Sequence, residues 1–359
     1  MASSDNPRNS ILRLVVGIAA VMLILAGMHI AARMVNMVLF AGLLTLLCIP
    51  LLRWLQARGV KRGWAVMLIC LLVLSVVLLF VGLIGISLAQ AAVKIPTYQE
   101  QLSANSDQIA AMLTQRGIDP SAFVSTLQSA ALRLFGIISG LAVDLTGLLV
   151  NGAFTLLIFF FLLADADNLA ARVSKIIPAD SPILAATGQA ASSVATFMLI
   201  LTALNLIIAV LDWLFLLVLG IPHAFLWGVL SFVFGFIPYI GYWVSIFPPL
   251  ILAFAQNGAM GVLVVILGYW LINGLIGNLV APRFYGQGLK LSPAISLLAV
   301  LFWGAILGPV GSIIGVPLTA LIKSILLENY SETRWVAAAI STGNGGDAPR
   351  NDATDVGAG

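Results

Sequence analysis

Few side chains in this sequence can do chemistry in the apolar setting that most of it builds, and Asp212 stands out among them. It lies two-thirds of the way along an apolar run, beside Trp213, with no basic residue near it in the chain. A carboxylate so placed is either a proton- or cation-coupling group or sits close enough to the headgroups to reach water. Asp144, near the start of another run, reads as interfacial. His223, after the Gly220-Ile221-Pro222 turn, is an interfacial residue or a proton relay. His29 is the only other histidine, too far away in the chain for a paired-histidine metal helix. Asn205 and Asn273 fit hydrogen bonding between helices, whereas Asn278 is poised between that role and lining a cavity.

A second kind of chemistry comes from backbone. Two apolar stretches, 226–254 and 302–326, each begin near a Trp-Gly pair and are then interrupted by glycine and proline. Pro238, Gly241, Pro248 and Pro249 break the first; Gly308, Pro309, Gly311, Gly315 and Pro317 break the second. Neither stretch can be one continuous helix. In a bilayer, broken backbone survives only where it is buried in protein or lines a watery cavity. Two such segments in one chain point to a solute site, with Tyr239 at the tip of the first break. Asp165-Ala166-Asp167 imitates a metal-binding pair but also suits an ordinary helix start. No Gly-rich phosphate loop is present, so any transport is passive or coupled to an ion gradient. These features predict a non-enzyme with no metal and no cofactor.

The elements that position these residues follow from composition. Of 359 residues, 61% are hydrophobic and 9% are charged, which describes a polytopic, all-α membrane protein. Crossings are expected over 11–32, 35–52, 64–92, 137–164, 194–219 and 259–280. Cys48 and Cys70 fall in apolar runs and imply no disulfide. Arg53, Arg58, Lys61 and Arg62 crowd one short loop, which belongs in the cytoplasm, as do both termini. Four units result: a three-span unit over 1–92, an extracytoplasmic amphipathic segment over 93–136, a transport unit over 137–330 and a disordered cytoplasmic tail over 331–359. Within the second, a short surface helix starts after Asp119-Pro120-Ser121; another, with Leu169, Val173, Ile176 and Ile177 on its apolar stripe, follows the fourth span and stops at Pro178. The two broken stretches form hairpins that face each other from opposite sides, or else are drawn out into true crossings. Gly136 with Gly140, and Gly311 with Gly315, have the spacing that lets helices approach closely.

Four motifs stand in order along the C-terminal half. They are Phe236-Ile237-Pro238-Tyr239-Ile240-Gly241, Gly277-Asn278-Leu279-Val280-Ala281-Pro282-Arg283, Gly286-Gln287-Gly288-Leu289-Lys290-Leu291-Ser292, and Phe302-Trp303-Gly304 running on to Gly308-Pro309-Val310-Gly311 and Val316-Pro317-Leu318. In these the chain resembles the autoinducer-2 exporter family, also called PurR-regulated permease-like proteins, over essentially its whole length. The resemblance implies a bacterial inner-membrane exporter of a small signalling furanone or related polar metabolites, assembled as a homo-oligomer, a pentamer by analogy. It implies membrane lipids and a small polar solute as partners, and no nucleic acid. Some relatives are described as sodium/proton antiporters. The family often has an acidic residue before the proline of the second motif, and Ala281 stands there instead, which argues against cation antiport. Pro238, Tyr239, Gly241, Asn278, Pro282, Arg283, Gly308, Pro309, Gly311 and Pro317 are the expected transport residues, with Asp212 for ion coupling.

Overall fold

The computed structural model describes residues 7–117, 119–143, 145–176, 181–280, 289 and 291–328. All of the described secondary structure is helical. Asp144, Ile177, Pro178, Ala281, Pro282, Arg283 and the tail over 331–359 lie outside the described residues.

Helix α1 covers Pro7–Ile30 and α2 covers Ala32–Ala57. Only Ala31 separates them and they barely touch, so α1 does not lie back along α2. After the basic loop, α3 runs unbroken over Arg62–Gln115, 54 residues or about 81 Å at 1.5 Å per residue. A crossing needs roughly 30 Å of that length. The remainder projects beyond the apolar zone, and α4 (Ser121–Val143) folds back against it. The sequence places a short helix flat on the outer surface here. The structure instead buries Ala131 and Phe135 of α4 against Leu88, Ala91, Tyr98 and Leu102 of α3, making a two-helix arm. The expected helix start holds: Asp119 Oδ1 accepts the Ser121 amide at 2.9 Å, which also pulls its carboxyl below the usual range.

Helix α5 (Leu145–Ile176) opens eight residues later than the span expected from 137 and continues without a separate second helix. Asp165 is therefore mid-helix rather than at a helix start; it accepts from Asn168 at 2.9 Å and pairs with Arg172 at 3.5 Å. Its partner α2 packs on it through Ala41, Cys48 and Leu52 against Phe159 and Leu163, and Arg62 donates to the Ala164 carbonyl at 2.8 Å. Both cysteines are free. Helix α6 (Pro182–Val218) then returns toward the end of the molecule opposite the basic loop.

The two broken segments follow. Helix α7 (Ala224–Phe234) runs back inward, an irregular tip spans 235–240, and α8 (Gly241–Leu275) leaves it. Gly258, at φ 59° and ψ −149°, breaks α8 in a conformation open only to glycine, so its first part completes a hairpin with α7 and its second part is a crossing. That crossing ends in a π-helical turn, Ile276–Val280. The second hairpin is α9 (Pro293–Leu307) and α10 (Pro309–Ile322), joined at Gly308 alone, followed by a π-helical turn at Lys323–Leu327. Its arms are roughly 21 Å long, short of a full hydrocarbon thickness. Of the five residues expected to break this stretch, Gly308 does so; Gly311, Gly315 and Pro317 sit within an unbroken α10.

Contacts place the hairpins as starting from opposite ends, but not tip to tip. The α10 end near Lys323 lies level with the start of α6, while Gly308 lies beside the start of α2. The first tip meets the flank of the second hairpin: Phe236, Ile237 and Ile240 pack with Val194, Met198, Val300 and Val316. These residues are apolar, so the first tip rests on a hydrophobic flank rather than on the second tip.

Candidate functional site

Three helices converge on Asp212, and glycines allow them to. A Cβ on Gly228 of α7 would stand 2.7 Å from Trp213 Cβ and 2.9 Å from the Ala209 carbonyl of α6. One on Gly235 would stand 2.6 Å from Asn205 Oδ1. One on Gly268 of α8 would run into the Phe215 ring. The spacing Gly228, Ser231, Gly235 puts these three on one helical face, turned to α6, and so brings the Ser231 hydroxyl to the carboxylate. Tyr269 and Asn273, four apart on α8, close the third side.

The result is a polar cluster sealed from solvent. Asp212 is 0% exposed, and Ser231, Tyr269 and Asn205 are also buried. Ser231 and Asn273 face the carboxylate, with Tyr242 and Tyr269 inside its electrostatic reach. Even so, both Asp212 oxygens, Ser231 Oγ, the Tyr269 hydroxyl and Asn205 Nδ2 lack a hydrogen bond of normal geometry. A buried ionised carboxylate costs several kcal/mol unless it is paired, and Ser231 and Asn273 are the polar side chains within reach of this one. Of its two sequence readings, the water-accessible one does not hold in this structure.

The predicted backbone sites fare differently. At the first tip several amides are used: Ile237 donates to Phe234 (2.8 Å), Ile240 to Pro238 (2.7 Å) and Gly241 to Ile237 (2.9 Å). A Cβ on Gly241 would run into the Phe234 carbonyl, so glycine there lets the turn close. Pro238 is half-buried, while Tyr239 is 57% exposed and held at φ 65°. At the second tip the Gly308 amide bonds Gly304 at 2.9 Å. The last α9 carbonyls are held from the N-terminal helices, Ile306 by His29 Nδ1 and Leu307 by Asn36 Nδ2, both at 2.8 Å. Part of the backbone at both tips is thus satisfied by the turns themselves and by side chains of the N-terminal helices. Pro309 is exposed beside Gly308. Gly311 meets the Trp303 carbonyl and Leu307 Cβ, and Gly315 the Ala299 carbonyl, so that pair does pack one hairpin arm on the other. Gly136 and Gly140 meet nothing within 4 Å of a Cβ. Pro317 lines an apolar groove of about 440 Å³ between α2, α5 and α10, a poor surface for a polar solute. Asn278 lies in the π-helical turn after α8.

Sequence reasoning found Asp212 but missed Ser231 and Tyr269, and it expected Asn273 to bond between helices, whereas its Nδ2 donates to the Tyr269 carbonyl of its own helix at 3.0 Å. The available signal was the Gly228, Ser231, Gly235 face on a short apolar helix. It also missed the splints at the first hairpin's ends. Asn105 Nδ2 caps Phe254 and Ala255 carbonyls at 3.1 and 2.6 Å, just before the Gly258 break, and the Tyr98 hydroxyl lies 3.2 Å from His223 Nε2. His223 starts α7 in a left-handed conformation, φ 55°, in the turn outside the spanning helices. Burial and the nearby Lys94 ammonium make it harder to protonate than a free histidine.

Residues 18–331 match the model of the AI-2E family transporter family. The chain is 29% identical over 335 residues to the AI-2 transport protein TqsA of Escherichia coli (strain K12), covering 92% of this chain and 96% of that one. It is 26% identical over 322 residues to YhhT of the same strain, covering 89% and 92%. A Haemophilus influenzae protein is 28% identical over 345 residues, covering 91% and 96%.

Proposed function

From the premise that this chain belongs to the AI-2E family of membrane transporters, we propose that it is a secondary transporter exporting a small polar solute across a bacterial inner membrane. Autoinducer-2 is the first candidate, because it is the solute in the name of TqsA. The observation that carries the reading is the sealed group of Asp212, Ser231, Tyr269 and Asn205, whose polar atoms lie between a crossing helix and a hairpin that ends mid-structure. Hydroxyls on a solute would supply the missing partners. The first tip is the moving part: Pro238 and Gly241 are its hinges, and Tyr239 swings with it. Gly308, Pro309, Gly311 and Pro317 shape the second hairpin as the fixed wall, and Asn278, Pro282 and Arg283 complete the set of transport residues. Both termini are placed in the cytoplasm, and the chain works as a homo-oligomer, a pentamer by family analogy.

Metabolites in the medium of cells with and without the protein, followed by uptake into proteoliposomes, test this reading. Autoinducer-2 should accumulate outside only cells that carry the protein and enter only liposomes that contain it. Equal amounts in both comparisons would end it.

A second reading, sodium or proton antiport, is favoured by the same buried Asp212 carboxylate. Against it stands Ala281 where the family often has an acid. Ion flux in vesicles without added solute, abolished by Asp212→Asn, would select it; no ion flux would remove it.

A further inference from the structure

We infer that a cavity at the basic-loop end of the molecule is the vestibule in which a neutral, hydroxyl-rich solute is first captured. The inference rests on the transporter reading and adds where the solute enters and which chemical class is admitted. The cavity, about 310 Å³, lies between the start of α6 and the turn that follows α10. Gln189 and Ser193 line it from α6; Lys323, Ser324 and Glu328 line it from the other side.

Its form is set by the π-helical turn. The Glu328 amide bonds the Lys323 carbonyl, five residues back, at 3.1 Å, and this wide turn carries both side chains to the cavity wall. Lys323 Nζ lies 3.3 Å from Glu328 Oε1. Lys323 is 3% exposed, the one buried basic residue among the described residues. A charge so deep is expensive unless paired, and here it is paired by a carboxylate that stays half exposed.

Together these groups select by charge. The ammonium only donates and the carboxylate only accepts, while Ser193, Ser324 and the Gln189 amide do both. An anion would be drawn to Lys323 but repelled by Glu328, and a cation the reverse. A neutral polyol can satisfy both ends at once, so the pair discriminates against either charge.

Position ties the cavity to the path. Val194, Ala320 and Leu289 line it and also belong to the apolar cluster around Phe236, Ile237 and Ile240. The apolar cluster that receives the tip of the first hairpin therefore forms one wall of the vestibule. A solute held there passes on only when that tip moves.

The test uses the full chain with Cys48→Ser and Cys70→Ser, and Ser193→Cys as a reporter. A water-soluble maleimide should label Ser193→Cys, and ribose or autoinducer-2 should slow that labelling severalfold, while ribose 5-phosphate and choline leave it unchanged. An unreactive cysteine, or protection by all four compounds or by none, overturns the proposal. In proteoliposomes, Lys323→Gln and Glu328→Gln should each raise KM for autoinducer-2 about tenfold, with Vmax little changed. The reversed pair, Lys323→Glu with Glu328→Lys, should not restore KM; restoration would show a structural tie only and overturn the vestibule. Selective protection of Ser193→Cys in a protein that moves neither solute would sink the transport reading and leave the binding site standing.

Discussion

The two hairpins are built from the same residue types and do opposite things. The second turns on Gly308 alone, and its arms close through Gly304 against Ser312, Gly311 against Trp303 and Gly315 against Ala299. The first turns through six irregular residues, 235–240, and packs mainly on α6 and α8, with Asp212 in the seam. Gly311 and Gly315 zip the second hairpin's own arms together, whereas Gly228 and Gly235 zip the first hairpin to α6 and leave its six-residue turn as the joint. In the proposed mechanism the second hairpin is the wall and the first the gate, and each role can be broken.

The largest effect should come from the wall. Gly311→Val pushes a side chain into the Trp303 carbonyl, which cannot yield, and should cost about 3 kcal/mol or more. Gly304→Ala meets only the rotatable Ser312 hydroxyl and should cost under about 1 kcal/mol. Thermal unfolding in detergent reads both; equal losses would deny the zipped arms. Next come the splints. Asn36→Leu leaves the Leu307 carbonyl unmet, and Asn105→Leu does so for Phe254 and Ala255, each costing about 1–3 kcal/mol. The comparison sharpens if Asn105→Leu also changes transport per folded molecule and Asn36→Leu does not. Matched effects on transport would blur it.

A smaller effect concerns pH at the gate's outer start. His223 binds a proton less readily folded than unfolded, so the unfolded chain holds more protons in acid. Its contribution is therefore present above about pH 6.5 and lost as pH falls through and below that value. His223→Gln should flatten the fall in melting temperature between neutral and mildly acid buffer. An unchanged slope would remove His223 from the account. Smallest is Tyr239→Gly, which relieves a left-handed tyrosine at the cost of chain entropy and should shift stability by only about 0.5 kcal/mol. Transport should respond more than stability does.

Much of this was legible in the sequence, for stated reasons. Apolar run length marked the long apolar helices, though α5 opens eight residues late, and glycine with proline marked both hairpin turns, though the second hairpin opens at Pro293 rather than at 302, because backbone propensity is local. Asp212 was legible because an acid in an apolar run has few ordinary explanations. Its partners were not: Ser231 and Tyr269 look unremarkable until α7 and α8 are docked on α6. The splints were hidden for a similar reason, since Asn36 and Leu307 stand 271 positions apart. The tip-to-flank arrangement was also missed. Proline and glycine say where a helix stops but not what its end touches, and here Phe236, Ile237 and Ile240 choose an apolar wall over a facing tip.

Most directly, flux of labelled autoinducer-2 across proteoliposomes under an imposed pH gradient should be compared between the unaltered chain and Asp212→Asn. The account predicts protein-dependent flux that drops about tenfold in the variant while its melting temperature holds. Equal flux from both, or none above empty liposomes from the unaltered chain, would contradict it.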